Sequence, residues 1–196
     1  MSTYFANKTG RALHDDELAL VQRLSARLDE LHPAQVRPEH TFAVSEGNSV
    51  FIPIIPHRAL DGVSLAIWLD THHAECFWAQ VRGLSCCHDD LDFGYRVASV
   101  KRGKNLEWIS TLEAQLVAEL RRTIRVRICS GQQSHDQSIF EYSVLARPGS
   151  FKMIGSTQST RPAFPPTNVE PLEIETSLVT ASDLPFEFPP QVDRWL

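Results

Sequence analysis

The residues whose side chains are best suited to catalysis or metal binding are concentrated between Asp70 and Asp92. This stretch holds six cysteine and histidine side chains: His72, His73, Cys76, Cys86, Cys87 and His88. Zinc prefers thiolate and imidazole ligands, and four of them in a tetrahedron complete a structural site. The sequence therefore raises one hypothesis of a small enzyme or a metal-binding protein that uses these loops, with Cys86, Cys87 and His88 as the candidate ligands.

The spacing of these residues argues against one shared metal site. Paired cysteine ligands ordinarily have two to four residues between them, whereas Cys86 and Cys87 are adjacent. Residues 75–81 are predicted to form a strand, and a strand of that length spans roughly 20 Å. The histidines that precede this strand and the Cys86–His88 group that follows it would then lie at opposite ends of the sheet. We therefore expect no metal and no other cofactor.

Two short segments, Cys86–His88 and Ser134–Asp136, contain the residue types found in hydrolase active sites. Their spacing in the sequence does not give the hydrogen-bond geometry that catalysis needs. A catalytic cysteine in the Cys86–His88 group would need a base within hydrogen-bond reach, which usually comes from elsewhere in the fold. The consecutive residues Ser134–Asp136 point in different directions and cannot form a proton relay. The sequence has no P-loop, Rossmann, zincin or nucleophile-elbow motif. We assign no catalytic residue, and an enzyme is the less favoured alternative.

Four residues on predicted strands are candidates for a partner-binding surface. Arg125 and Arg127 share one face of their strand, and such a pair can bind an acidic protein surface. Trp68 and Trp78 lie on the two strands of a predicted hairpin, and aromatic residues exposed on a sheet mark interfaces. Two alternatives remain open. The arginines could form a solvated face whose positive charge is balanced by nearby glutamates. The tryptophans could be buried under the C-terminal tail.

Hydrophobic periodicity predicts the elements that position these residues. Apolar residues recur every three or four positions in residues 14–31 and 105–122, which predicts two amphipathic helices. Apolar and alternating runs predict strands at 41–44, 49–55, 63–69, 75–81, 93–100, 123–129, 139–146 and 151–154. The connections between neighbouring strands are too short for crossover helices. We therefore predict an α+β fold with an antiparallel sheet of five to eight strands.

Residues 155–196 differ in composition from the rest of the chain. They contain seven of the twelve prolines. We predict a domain at 1–154 and a Pro-rich extended tail at 155–196 that is packed on it or attached to it. A disordered tail should be poor in large apolar residues. This tail contains four aromatic anchors, Phe164, Phe186, Phe188 and Trp195, so we expect it to lie against the domain.

The composition restricts the class of protein. The 196 residues are 42% hydrophobic and 22% charged, which is typical of a globular domain. No apolar run is long enough to cross a bilayer, and the first residues lack a secretory h-region. We therefore expect a cytoplasmic protein that does not associate with membranes. The net charge of −5 argues against nucleic acid as the partner, and we expect a protein partner.

The order of elements resembles that of small bacterial immunity proteins, which neutralise a cognate toxin. Ala66–Asp70, Phe77–Trp78 and then Leu106–Arg127 carry this resemblance. It is a similarity of pattern, without a sequence motif, and it assigns no role to any residue. The resemblance implies a protein-binding module that acts as an immunity or accessory factor, which neutralises or assists the protein that it binds.

Overall fold

The computed structural model describes residues 4–9, 11–46, 50–60, 62–81, 91–130, 138–159 and 171–180. Within these residues the chain forms two α-helices, one short 3₁₀ helix and ten β-strands. The predicted α+β fold, with two helices and antiparallel strands, is confirmed. The strands form two sheets, whereas the sequence predicted one.

The helices are α1 (Asp15–Leu31) and α2 (Glu107–Leu120), and the 3₁₀ helix is Pro38–His40. In chain order, the strands are β1 (Asn7–Thr9), β2 (Phe42–Glu46), β3 (Val50–Pro56), β4 (Val63–Leu69), β5 (His73–Val81), β6 (Leu91–Lys101), β7 (Ile124–Ser130), β8 (Ser138–Arg147), β9 (Ser150–Ser159) and β10 (Leu172–Thr176).

Two sheets organise these strands. The large sheet has the order β1-β2-β3-β4-β5-β6 and is antiparallel except that β1 runs parallel to β2. The small sheet has the order β10-β7-β8-β9 and is antiparallel throughout. Both sheets consist mainly of strands that follow one another in sequence, as expected where short turns connect them.

Local sequence explains the limits of α1. Glu17, in the first turn, accepts a hydrogen bond from the backbone N–H of His14 at 2.8 Å. A carboxylate at this position is also favourable for the helix dipole. The helix ends at Leu31 because His32 adopts the left-handed conformation (φ 44°). Pro33 follows and has no N–H with which to continue the helix.

The two helices lie side by side and run in the same direction. Arg23 of α1 donates to the Ser110 hydroxyl at 2.6 Å, and Arg27 pairs with Glu113 at 2.9 Å. The contacts advance along both helices together, which fixes their parallel orientation.

One hydrophobic core joins both helices to both sheets. It contains the inner faces of α1 and α2 together with inward-facing side chains of the large and the small sheet. Its largest fully buried members include Phe51, Leu65, Ile67, Trp78 and Tyr142. Because the small sheet completes this core, the side chains on its opposite face point away from it.

The sheets meet where β6 and β9 cross. A Cβ atom on Gly94 would lie only 2.4 Å from the Cα atom of Ile154, so any side chain there would force the strands apart. Next to this crossing, the buried side chain of Gln80 accepts a hydrogen bond from the backbone N–H of Ser156 at 3.1 Å. This close contact fixes the position of β9, and through β8 that of β7.

The Pro-rich segment contributes structure that the sequence analysis did not anticipate. The predicted boundary after residue 154 falls inside β9, and β10, within the predicted tail, pairs with β7. After β10, the carbonyls of Leu178 and Val179 accept hydrogen bonds from Gln35 and Ala34. The four aromatic residues expected to anchor the tail, Phe164, Phe186, Phe188 and Trp195, lie outside the described residues.

Candidate functional site

The structure separates the two tryptophans that were predicted to share a binding surface. In the register of β4 and β5, Trp78 lies opposite Leu65, whereas Trp68 lies opposite Glu75. Residues paired across a ladder point to the same side of a sheet. Trp78 therefore faces the core, where it is fully buried, and Trp68 faces the other side. The assignment of Trp78 to a partner-binding surface is wrong because this residue cannot reach a partner.

A buried polar network explains why Trp78 lies in the core. Its indole N–H donates to the Glu119 carboxylate at 2.9 Å. Arg122 completes the network: its Nε–H donates to the same carboxylate at 2.5 Å, and a second donor contacts the other carboxylate oxygen. Glu119 is only 2% exposed, so these donors replace the water that a buried carboxylate loses. Trp78 and Glu119 are buried in this network, and Arg122 closes it towards solvent with 27% of its side chain exposed.

Trp68 lies at the margin of a separate apolar cluster. The cluster occupies the side of the large sheet that faces away from the helices, and its buried members are Phe42, Val44, Ile52, Ile54, Ala66 and Val81. Trp68 is half-buried against them. Because Trp68 belongs to the large sheet and the two arginines belong to the small sheet, the structure does not bring the predicted binding residues together.

Arg125 and Arg127 face outwards from β7, as their alternation with buried Ile124, Val126 and Ile128 predicted. Neither arginine is an unpaired positive charge. Arg125 contacts Glu175 at 3.2 Å and Glu173 at 3.6 Å, both on β10. Arg127 contacts Glu141 of β8 at 3.5 Å. The interpretation as a charge-balanced face is therefore closer to the structure than a basic patch.

An apolar strip lies beside these charges. Met153 and Phe151 of β9 point outwards next to Ser143 and Leu145 of β8. Met153 is 55% exposed, more than any other large hydrophobic residue in the described part of the chain. The Arg125 guanidinium stacks over the Phe151 ring with its central carbon 3.7 Å from the ring centroid. Stacking of this kind joins the charged and the apolar parts into one surface.

We define the outer face of the small sheet as the following set: Arg125, Arg127, Glu141, Phe151, Met153, Glu173 and Glu175. It contains two positive and three negative side chains. A surface with nearly balanced charges suits a partner with mixed charges better than it suits a polyanion. The expectation that nucleic acid is not the partner stays a prediction. The sequence analysis missed Phe151 and Met153, although their alternation with buried Ile154 was a readable signal.

The residues of the alternative metal site are only partly described. His72, in the turn before β5, and His73, the first residue of β5, are exposed, and their backbone N–H groups both donate to Asp70. Cys76 is buried on the core side, where burial raises the pKa of its thiol and the Glu119 charge raises it further. A protonated, inaccessible thiol is a poor nucleophile and a poor ligand. The structure thus separates Cys76 from the two histidines.

The Cys86–His88 group and Ser134–Asp136 lie outside the described residues. Among the residues that the structure describes, no group of three or more histidine, cysteine or acidic side chains could hold a metal ion. The metal and nucleophile hypotheses for the undescribed loops stay predictions. In the same part of the chain, no helix combines the length and the apolar character needed to cross a membrane.

No protein-family model, curated protein or solved structure matches this chain. The candidate site therefore depends on its geometry: a mixed apolar and charged surface on the face of the small sheet that points away from the hydrophobic core.

Proposed function

We propose that this chain is a protein-binding module that acts as an immunity or accessory factor, which neutralises or assists the partner protein that it binds. The proposed contact surface is the outer face of the small sheet. One observation carries the proposal: Met153 is exposed beside a stacked Arg125–Phe151 pair. Protein interfaces combine such an apolar centre with a polar rim.

The composition of the outer face supports binding to a protein. Methionine, phenylalanine and arginine are enriched at interfaces, and arginine is common among the residues that dominate binding energy. Met153 is flexible and can adapt to an opposing apolar surface. The Phe151 ring already orders the Arg125 guanidinium, so less side-chain entropy is lost when a partner contacts it. The strands beneath are fixed by the core, which keeps this surface in place.

Met153→Asp is expected to weaken partner binding more than tenfold, because a charge would replace the apolar centre of the interface. Since Met153 is exposed, the free energy of unfolding should change by no more than about 0.5 kcal/mol. The measurement is quantitative capture of interacting proteins from lysate of the source cells, followed by titration of the enriched protein against purified wild type and variant.

Leu106→Asp provides the matched control. Leu106 is 47% exposed and lies at the N-terminus of α2, away from the small sheet. Aspartate is a favourable residue at a helix N-cap, so this variant introduces the same charge without a folding penalty. Equal loss of binding in both variants, or no loss in either, would place the contact elsewhere on the protein.

A further inference from the structure

We propose that β10 occupies the binding site of a partner strand. In this proposal the edge of β7 accepts an extended acidic segment of the partner protein, with apolar residues at alternate positions, and this segment displaces β10. The inference rests on the proposed function and specifies the chemistry of the partner. Three features of β10 support it: its register on β7, the charges that it places opposite β7 and the extent of its pairing with β7.

The sequence of β10 shows what the β7 edge selects. Ile174 lies opposite Val126 and points to the core, whereas Glu173 and Glu175 lie opposite Arg127 and Arg125 and point outwards. Strand residues alternate between the two faces of a sheet. An occupant of this edge therefore needs apolar side chains on one face and carboxylates on the other. This requirement comes from β7 and applies equally to a segment from another protein.

Arg125 is the residue that binds the carboxylates of the strand at the β7 edge. It contacts both glutamates of β10, and the Phe151 ring holds its guanidinium in place. The Nε–H of Arg125 is buried and has no hydrogen-bond partner in the described structure. With β10 in place, the Nε–H donor of Arg125 therefore remains without an acceptor. A buried unsatisfied donor has an energetic cost, and a better-fitting strand could remove it.

Within the described residues, the pairing between β10 and β7 covers Ile124 to Ile128, whereas β7 continues to Ser130. The next residue of the β10 segment is Pro171, which has no N–H to donate to the ladder. A partner strand without proline at this position could pair with Cys129 and Ser130 as well. These two positions provide a starting point from which an incoming strand can displace β10.

The two ends of the β10 segment differ in how firmly they are held. Leu172 and both glutamates are exposed. At the other end, Leu178 is fully buried, and the backbone next to it is bonded to Ala34 and Gln35. Displacement should therefore begin at Leu172, next to the Ser130 end of β7. Addition of a strand to an open sheet edge is a known mode of peptide recognition.

A peptide in trans tests this proposal on the full-length chain. The probe is a fluorescein-labelled peptide of residues 170–176 with Pro171→Val, so that it can pair along all of β7. The protein variant carries Glu173→Lys and Glu175→Lys, which place like charges opposite Arg125 and weaken the resident strand. We expect this variant to bind the peptide roughly tenfold tighter than the wild type does, by fluorescence anisotropy.

Charge reversal is the specificity control. A peptide with lysine in place of Glu173 and Glu175 should not bind the variant. Adding Arg125→Glu to the variant restores opposite charges between position 125 and the resident lysines, and should abolish binding of the acidic peptide. Hydrogen exchange on wild-type protein gives a readout that does not depend on the variant's folding. Excess acidic peptide should increase exchange in residues 172–176 and leave β7 protected.

Three results would overturn the proposal. The first is a folded variant that binds neither peptide. The second is wild-type exchange at residues 172–176 that excess peptide does not change. The third is a dimer of the variant, because the edge would then accept the β10 of a second copy. If any of these occurs while partner binding still depends on Met153, the proposed function stands without the strand exchange. If partner binding depends on neither the peptide site nor Met153, the proposed function itself fails.

Discussion

Glu119→Ala is expected to lower the free energy of unfolding by about 2–3 kcal/mol, the cost of leaving a buried donor without its acceptor, since Arg122 keeps 27% of its side chain exposed and can be solvated. The carboxylate is almost completely buried and accepts hydrogen bonds from Trp78 and Arg122. Its loss would leave the buried indole N–H without an acceptor and the guanidinium without its counter-charge. Urea denaturation followed by tryptophan fluorescence and by circular dichroism measures the change.

Glu30→Ala is the matched control for Glu119→Ala. Glu30 pairs with Arg27 within α1 at the same sequence spacing of three residues, but the Glu30 side chain is 65% exposed. Exposed pairs of this kind contribute between zero and about 1 kcal/mol. If Glu119→Ala cost no more than Glu30→Ala, the carboxylate would not be the buried acceptor that positions Trp78.

His57→Asn is expected to remove a large part of the acid sensitivity of the protein. Burial is the main cause that lowers the pKa of His57 to about 3; a backbone hydrogen bond with Ser177 opposes this shift, and the positive charge of Arg58 adds to it. In the unfolded chain the pKa of histidine is about 6.5. Between these two values the unfolded chain binds a proton that the folded chain does not, so stability falls as the pH decreases. The loss is about 1.4 kcal/mol per pH unit well below 6.5.

The local geometry explains why this imidazole is neutral. The backbone N–H of Ala59 donates to Nδ1 at 3.2 Å, so the proton resides on Nε2, which lies 3.3 Å from the Thr176 hydroxyl. Protonation would place a second hydrogen on Nδ1, where a donor already points. His57 thus joins the loop after β3 to the end of β10, and its charging should weaken this contact.

The free energy of unfolding, measured from pH 7.5 to pH 5, checks the His57 prediction. Wild type should lose about 2 kcal/mol more than His57→Asn does over this range. Asparagine retains an acceptor for the Ala59 N–H without a titrating group. Thr176→Val is the control, because it removes the hydroxyl and keeps the imidazole buried. Its stability should be lower at every pH, with the wild-type pH dependence. Parallel curves for wild type and His57→Asn would contradict the assignment.

The helices and most strands could be predicted because their periodicity is local. The stripes of α1 and α2 and the continuous run of β4 depend only on neighbouring residues. β1 and β10 were missed for the opposite reason. Each is short, and each is stabilised by a strand far away in sequence: Asn7 pairs with Phe42, and Ile174 pairs with Val126. Nothing within three to five residues reveals such a partner.

The site was predicted only in part because strand register is not a local property. The alternation within β7 placed Arg125 and Arg127 outside, and the structure agrees. For the tryptophans, alternation assigned faces within each strand but could not relate one strand to the next. A one-residue change in register reverses the faces, and the observed register directs Trp78 into the core. The glutamates that balance Arg125 were unpredictable once β10 was missed.

Site-specific photo-crosslinking can show whether a partner protein contacts the outer face of the small sheet. A benzophenone amino acid would replace Met153 in one variant and Leu106 in a control variant, both expressed in the source cells. Our account predicts a discrete protein adduct from position 153 that the control lacks. Adding Arg125→Glu and Arg127→Glu to the Met153 variant should abolish this adduct. The same adducts from both positions, or none from position 153 in a folded and abundant protein, would contradict binding through the outer face of the small sheet.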